Sequence, residues 1–144
     1  MPISTNVAVV VGLADSSPSA LGSTTRSGVV AIANYVTATG AVETAWSMDL
    51  GSGVSAAYLF DFDVTAVSDD GLDFATYKWF HSVSWDGSAV AQLAAPASVI
   101  SVETSPASCS ATSDVSGTTV RLRVGATANW RYGATVRLTR TTFT

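Results

Sequence analysis

The sequence predicts an all-β domain of two antiparallel sheets packed face to face, and three observations carry that expectation. Ser, Thr, Ala and Val make up 79 of the 144 residues, against one Lys, two Glu, one Gln and eight Leu. β-Branched residues therefore abound, and straight-chain helix formers other than Ala are scarce. Apolar and polar residues alternate with a period of two along several stretches, the mark of strands with one buried face. Gly and Asp-Gly punctuate these stretches at short intervals, where hairpin turns belong. Charged residues are 12% of the chain, about half the usual share. That excludes a coiled coil, a helical bundle and a charged disordered tail. A chain of this size buries roughly 70% of its unfolded surface on folding, enough for one core without staples.

Residues 1–28 are expected to form an N-terminal arm and loop, and residues 29–144 the sandwich domain. Val7–Ala14 (VAVVVGLA) reads as a strand or extended arm. Residues 15–28 carry Pro18, Gly22 and Gly28 among seven Ser/Thr, a long loop by composition. Val29–Thr37 is largely apolar, with a turn expected at Thr39-Gly40, and Glu43–Leu50 follows before Gly51-Ser-Gly53. Along residues 58–67, Tyr58, Phe60, Phe62, Val64 and Ala66 share one face, and Asp61, Asp63 and Thr65 the other. Asp69-Asp70-Gly71 marks a hairpin, after which Ala75, Tyr77, Trp79, His81, Val83 and Trp85 share a face. Asp86-Gly87 is a second such turn. Residues 88–97 (SAVAQLAAPA) are the best helix candidate, limited to a short turn by Pro96. Strands are expected again over Val99–Thr104, Ser108–Ser113, Thr118–Val124 and Asn129–Thr139. In the last two, Val120, Leu122, Val124, Trp130, Tyr132, Ala134, Val136 and Leu138 point inward. Eight or nine short strands in one domain imply a two-sheet sandwich, jelly-roll-like, with an extended N-terminal arm.

The formal net charge is −4 with a pI near 4.6, which gives no basic field for nucleic acid. The charge is sorted along the chain. All eleven acids lie between Asp15 and Asp114, whereas Arg121, Arg123, Arg131, Arg137 and Arg140 fall in residues 121–144. Head-to-tail pairing between copies would use such a split, and so would strand pairing that mixes the signs within one surface. Cys109 is the only cysteine, so neither an intrachain disulfide nor a thiolate metal cluster can form, in keeping with a reducing compartment. No signal-peptide pattern opens the chain and no apolar run reaches membrane-spanning length, so neither Sec export nor a membrane partner is expected.

Few constellations carry chemistry. Asp61, Asp63, Asp69, Asp70 and Asp73 crowd one hairpin. They read either as a Ca²⁺ site without EF-hand spacing or as solvent-facing strand acids with a turn. Asp61 and Asp63, about 7 Å apart on one face, fall within the glycosidase range that any such pair would meet. Most aromatics share the parity of Val and Leu and read as core; Trp46, Phe80 and Phe143 are the exceptions, open to sugar stacking or to packing between subunits. His81, the single histidine, reads as a packed and hydrogen-bonded side chain, and Cys109 as a buried thiol. No catalytic residue, metal ligand or cofactor-binding motif stands out. Arg121 and Arg123 project from one strand face, near Arg131 and Arg137 if their strands pair, to grip phosphate or an acidic neighbour.

The stretch from Tyr58 to Thr142 resembles a module of tailed-phage structural proteins. It holds a strand rich in aromatic and small polar residues, the Asp69-Asp70-Gly71 turn and a second aromatic strand (TYKWFHSVSW). Its closing pair is Gly117-Thr-Thr-Val-Arg-Leu-Arg-Val124 followed by Asn129-Trp130-Arg-Tyr-Gly-Ala-Thr-Val-Arg-Leu138. The short Gly125-Ala-Thr-Ala128 link departs from the module's longer connection. The resemblance implies a jelly-roll or β-sandwich domain of a head-decoration, head-fibre or tail-fibre protein, acting as a homotrimer. The expectation is a non-enzymatic virion structural protein, assembled in the host cytoplasm: a capsid decoration (cement) protein stabilising the phage head. Its partners would be further copies of itself and the major capsid protein or another virion protein, with no cofactor, nucleic acid or membrane. The alternative is a receptor- or glycan-binding tail-fibre or adaptor module. Val9, Val10, Val11, Arg121, Arg123, Arg131 and Arg137 are the candidate interface residues.

Overall fold

The computed structural model describes residues 7–10, 14–15, 23–36, 41–51, 54–103, 109–126 and 129–143. Ten strands and no helix occur among them: β1 (Val7–Val10), β2 (Ala14–Asp15), β3 (Ser23–Val36), β4 (Val42–Asp49), β5 (Ala56–Ser68), β6 (Phe74–Trp85), β7 (Val90–Glu103), β8 (Cys109–Ser116), β9 (Thr119–Ala126) and β10 (Trp130–Phe143). Seven strands form a large sheet in the order β1-β3-β10-β5-β6-β7, with β2 also on β3; β4-β9-β8 form the second sheet. Every pairing is antiparallel. The two sheets make a β-sandwich in which early strands pair with late ones, β3 against β10 and β4 against β9. The middle is simpler: β5-β6-β7 meander in the large sheet, and β8-β9 is a hairpin in the small one.

Alternation sets which side chains meet. Tyr58, Phe60, Phe62, Val64 and Ala66 of β5 are buried, as are Ala75, Tyr77, Trp79, His81, Val83 and Trp85 of β6. Trp130, Tyr132, Ala134, Val136 and Leu138 complete that inner face from β10, while β9 presents Val120, Leu122 and Val124 from the opposite sheet. Tyr58, Phe60 and Phe62 stack along one strand with ring centroids 6.1 Å apart, close to the two-residue rise of a strand. Phe62 stacks at 4.9 Å on Trp79 across the strand pair, and Trp46 reaches over from the other sheet to tilt against Phe60 and Phe62.

Trp46 is therefore core, not the exposed exception its parity suggests. The β4–β9 register shifts between Thr44 and Trp46, leaving Ala45 as an extra residue. Such a bulge reverses the faces. Thr44 bonds Arg123 on the outside, and Trp46 two residues later is 5% exposed. Phe80 does lie open at 41% exposure, and the Phe143 side chain lies outside the described residues.

Two stretches differ from expectation. Residues 90–103 form one strand, β7, in place of a helical turn and a separate later strand. Pairing along β6 outweighs the helix preference of Ala. β7 ends the sheet order, and three register shifts against β6 loosen its ladder. A proline without an N–H is tolerated on such an edge, so Pro96 fits there. β3 begins at Ser23, inside the Ser/Thr-rich segment that reads as loop, with Thr24 and Thr25 in register with Thr142 and Thr141 of β10. β-Branched threonines suit a paired strand as well as a loop. The turn expected at Thr39-Gly40 lies outside the described residues.

Candidate functional site

The charged side chains sit on two opposite outer faces. On the small sheet, Asp114 of β8 lies opposite Arg121 of β9. Arg121 donates two hydrogen bonds of 2.7 Å to the two carboxylate oxygens, the forked geometry that favours arginine. That contact holds the Asp114 carboxyl below its usual range, with Arg121 and Arg123 adding charge. Arg123 donates to Thr44 Oγ1 and to the Val42 carbonyl. On the large sheet, Lys78 reaches Asp61 at 2.8 Å and Asp63 at 2.9 Å, and Arg137 donates to the other Asp63 oxygen at 2.8 Å. Hydrogen bonds to Asp61 and Asp63 raise the Lys78 ammonium above its usual value, and that ammonium stands 5.4 Å over the Phe80 ring.

The expected grouping of four arginines does not form. β9 and β10 lie in different sheets, so Arg121 and Arg123 face away from Arg131 and Arg137, and no single phosphate grip joins them. Val9 and Val10 fall in β1, in register with Ile32 and Ala31 of β3; Val11 lies outside the described residues. The hairpin acids also divide. Asp61 and Asp63 are tied to Lys78, whereas Asp69, Asp70 and Asp73 lie in the β5–β6 turn. Among the described residues no three His, Cys, Asp or Glu side chains converge to hold a metal ion.

A buried polar chain links the sheets. Trp79 Nε1 donates to Ser113 Oγ at 2.7 Å, and Ser113 Oγ lies 2.8 Å from His81 Nδ1. His81 Nε2 is 2.9 Å from Gln92 Oε1. An indole can only donate, so with the Gln92 oxygen turned to the ring the chain runs one way. Ser113 accepts from Trp79 and donates to Nδ1, and Nε2–H donates to Gln92. Burial pushes the His81 imidazole below its ordinary pKa, opposed by Gln92 and by the charge of Asp114. Ser113 and His81 have the spacing of a nucleophile and its base, yet they are 5% and 0% exposed. In that sealed position they act as a clasp between the sheets. Tyr77 makes a second clasp, donating at 3.1 Å to the carbonyl of buried Cys109, and Tyr132 a third, donating at 2.6 Å to the Gly125 carbonyl.

The open chemistry lies at one end of the large sheet. The β5–β6 turn closes on itself: Ser68 Oγ and the Leu72 amide both donate to Asp70 Oδ1, which holds that carboxyl below its usual range. Gly71 sits at φ +73°, in the region that favours glycine. The Asp69 amide donates to the Asn129 carbonyl at 3.1 Å and fastens the turn to the start of β10. Between them is a cavity of about 340 Å³ lined by Val67, Ser68, Asp69, Asn129 and Arg131, among others. Beside it, on the outer face, a depression of about 350 Å³ is lined by Thr65, Ala66, Val67, Phe74, Arg131 and Gly133. Val67 and Arg131 belong to both. Of these residues only Arg131 and Asp69 stand out from sequence, for other reasons. Turn and strand start lie some sixty positions apart, so only the strand pairing brings them together.

Compared with models of protein families, with curated proteins and with solved structures, the chain matches none.

Proposed function

We propose that this chain is a non-enzymatic virion structural protein, a capsid decoration (cement) protein that stabilises a phage head. The observation that carries the reading is the pairing of charges in place on both outer faces. Asp114 is matched by Arg121, and Asp61 and Asp63 by Lys78 and Arg137. Around these pairs on the large sheet lie Ser and Thr side chains together with the exposed apolar Leu59, Phe74 and Phe80, a surface that gains by being laid against a neighbour. The sealed Ser113–His81 pair and the salt-bridged Asp61 and Asp63 fit a role without catalysis. The resemblance of Tyr58–Thr142 to phage structural modules supports the setting: a virion component assembled in the host cytoplasm, trimeric, held on the major capsid protein or another virion protein. Each copy seated on a joint between capsid subunits would stabilise the assembled shell by its binding free energy. Three linked copies would hold through raised effective concentration.

The test is to add the purified chain to undecorated heads and to follow genome release on heating. Decorated heads are expected to retain their genome to a higher temperature. Equal release with and without the chain overturns the proposal. Binding to tail components in place of heads transfers the chain to the receptor- or glycan-binding alternative.

A further inference from the structure

We propose that the cleft between the β5–β6 turn and the start of β10 binds an acidic saccharide, a sugar ring bearing a carboxylate, through Arg131, Asp69 and Phe74. The inference is independent of where on a particle the chain sits.

Two arginines of β10 have guanidinium groups without a described partner, Arg131 and Arg140, and of the two only Arg131 lines a cavity. Lys78, Arg121, Arg123 and Arg137 are all held by carboxylate, hydroxyl or carbonyl oxygens of their own sheets. Arg131 is exposed and lines both cavities, and its guanidinium makes no hydrogen bond or ion pair with any described residue. Asp69 lines the first cavity with it, and the Asp69 carboxylate also has no described partner, unlike Asp70 beside it. A cation and an anion thus line one cleft without meeting. A ligand that satisfies both must offer a planar acceptor to the guanidinium and O–H or N–H donors to a carboxylate that can only accept.

The second cavity supplies an apolar wall. Arg131, Val67 and Phe74 form one cross-strand row over β10, β5 and β6, so Arg131 and Phe74 stand two strand spacings apart, about 10 Å. Phe74 is 52% exposed. Next to the row, Gly133 adds no side chain beside Thr65, whose Oγ1 would stand 3.4 Å from a Cβ there, which keeps the floor low. A pyranose ring with its C–H face on Phe74, its carboxylate on Arg131 and its hydroxyls toward Asp69 meets all three groups. A phosphate monoester would bring up to two negative charges to a cleft that also holds Asp69 and Asp70, where a carboxylate brings one, and a wholly apolar ligand would strip water from two unpaired charges.

The full chain, isotopically labelled, is titrated with glucuronic acid and N-acetylneuraminic acid while amide resonances are followed, with glucose, acetate and inorganic phosphate as comparators. Both acidic sugars, or one of them, should shift the amides of residues 67–71 and 129–133 and bind about tenfold or more tightly than glucose or acetate. Arg131→Gln should weaken that binding about tenfold or more, and Arg131→Lys, which keeps charge without the fork, should also weaken it. Asp69→Asn and Phe74→Ala should each lower affinity, and Arg137→Gln, on the same face but paired with Asp63, should not. Amide dispersion reports whether each variant is folded. No shifts at saturating sugar, acetate or phosphate binding as tightly as the acidic sugars, or unchanged affinity in Arg131→Gln overturns the proposal. A chain that binds heads but no sugar sinks this inference alone, and one that binds sugar but no heads sinks only the decoration role.

Discussion

Ser113 holds two ring nitrogens in a place without water, and its removal should be felt more than its size suggests. Ser113→Ala leaves the Trp79 indole N–H and His81 Nδ1 without their shared partner. The expected cost is about 1–3 kcal/mol for each group left unsatisfied, read as a lower urea midpoint. His81 adds a pH dependence whose sign follows from burial. Its folded pKa is depressed, so below about pH 6.5 the unfolded chain takes up a proton that the folded chain refuses. The stability His81 contributes is complete above that pH and is lost as pH falls through the depressed folded value. Between pH 7 and pH 5 the wild type should lose stability more steeply than His81→Asn, and parallel profiles would contradict this. The alternation of β6 places His81 inward and hydrogen-bonded, but its partners Ser113 and Gln92 are invisible in sequence. Ser113 lies 32 positions away in the opposite sheet, and Gln92 lies in a segment whose alanines read as helix.

Strands are legible where alternation is clean and illegible where a neighbour decides the outcome. β5 and β6 show their faces in sequence because every second residue over six positions is apolar, His81 excepted, and most are large. β4 hides its face because one extra residue, Ala45, puts Thr44 and Trp46 on opposite sides. β7 hides its type because Ala, Gln and Leu are poor strand markers and only the β6 ladder makes them one. Turns are more transparent, since they need a particular residue. Gly87 sits at φ +99° with only Ser55 Oγ near a prospective Cβ, at 3.6 Å. Gly87→Ala should therefore cost backbone strain alone, about 1–2 kcal/mol, seen as a lowered thermal midpoint with unchanged inner packing. The end cleft is beyond reach of sequence: it needs the β5–β10 register to set Arg131 beside Val67.

For the whole molecule, the order of strands in space differs from the order in which they are made. β10, the last of the ten described strands, lies between β3 and β5, in register with thirteen positions on each. Until residues 130–143 have been synthesised, β3 with its short companions and the β5–β6–β7 meander have no ladder joining them. Between the completion of β5 and the emergence of β10, a ribosome-bound chain therefore carries two unclosed edges, the condition under which strands of different chains pair. A chain truncated after Asn129 should show collapsed amide dispersion and should aggregate on release. The complete chain should fold in a phase of milliseconds to seconds, since its central pairing closes a very long loop. β10 is thus a bolt: timing, as much as affinity, decides whether each copy closes on itself or on the nascent copy beside it.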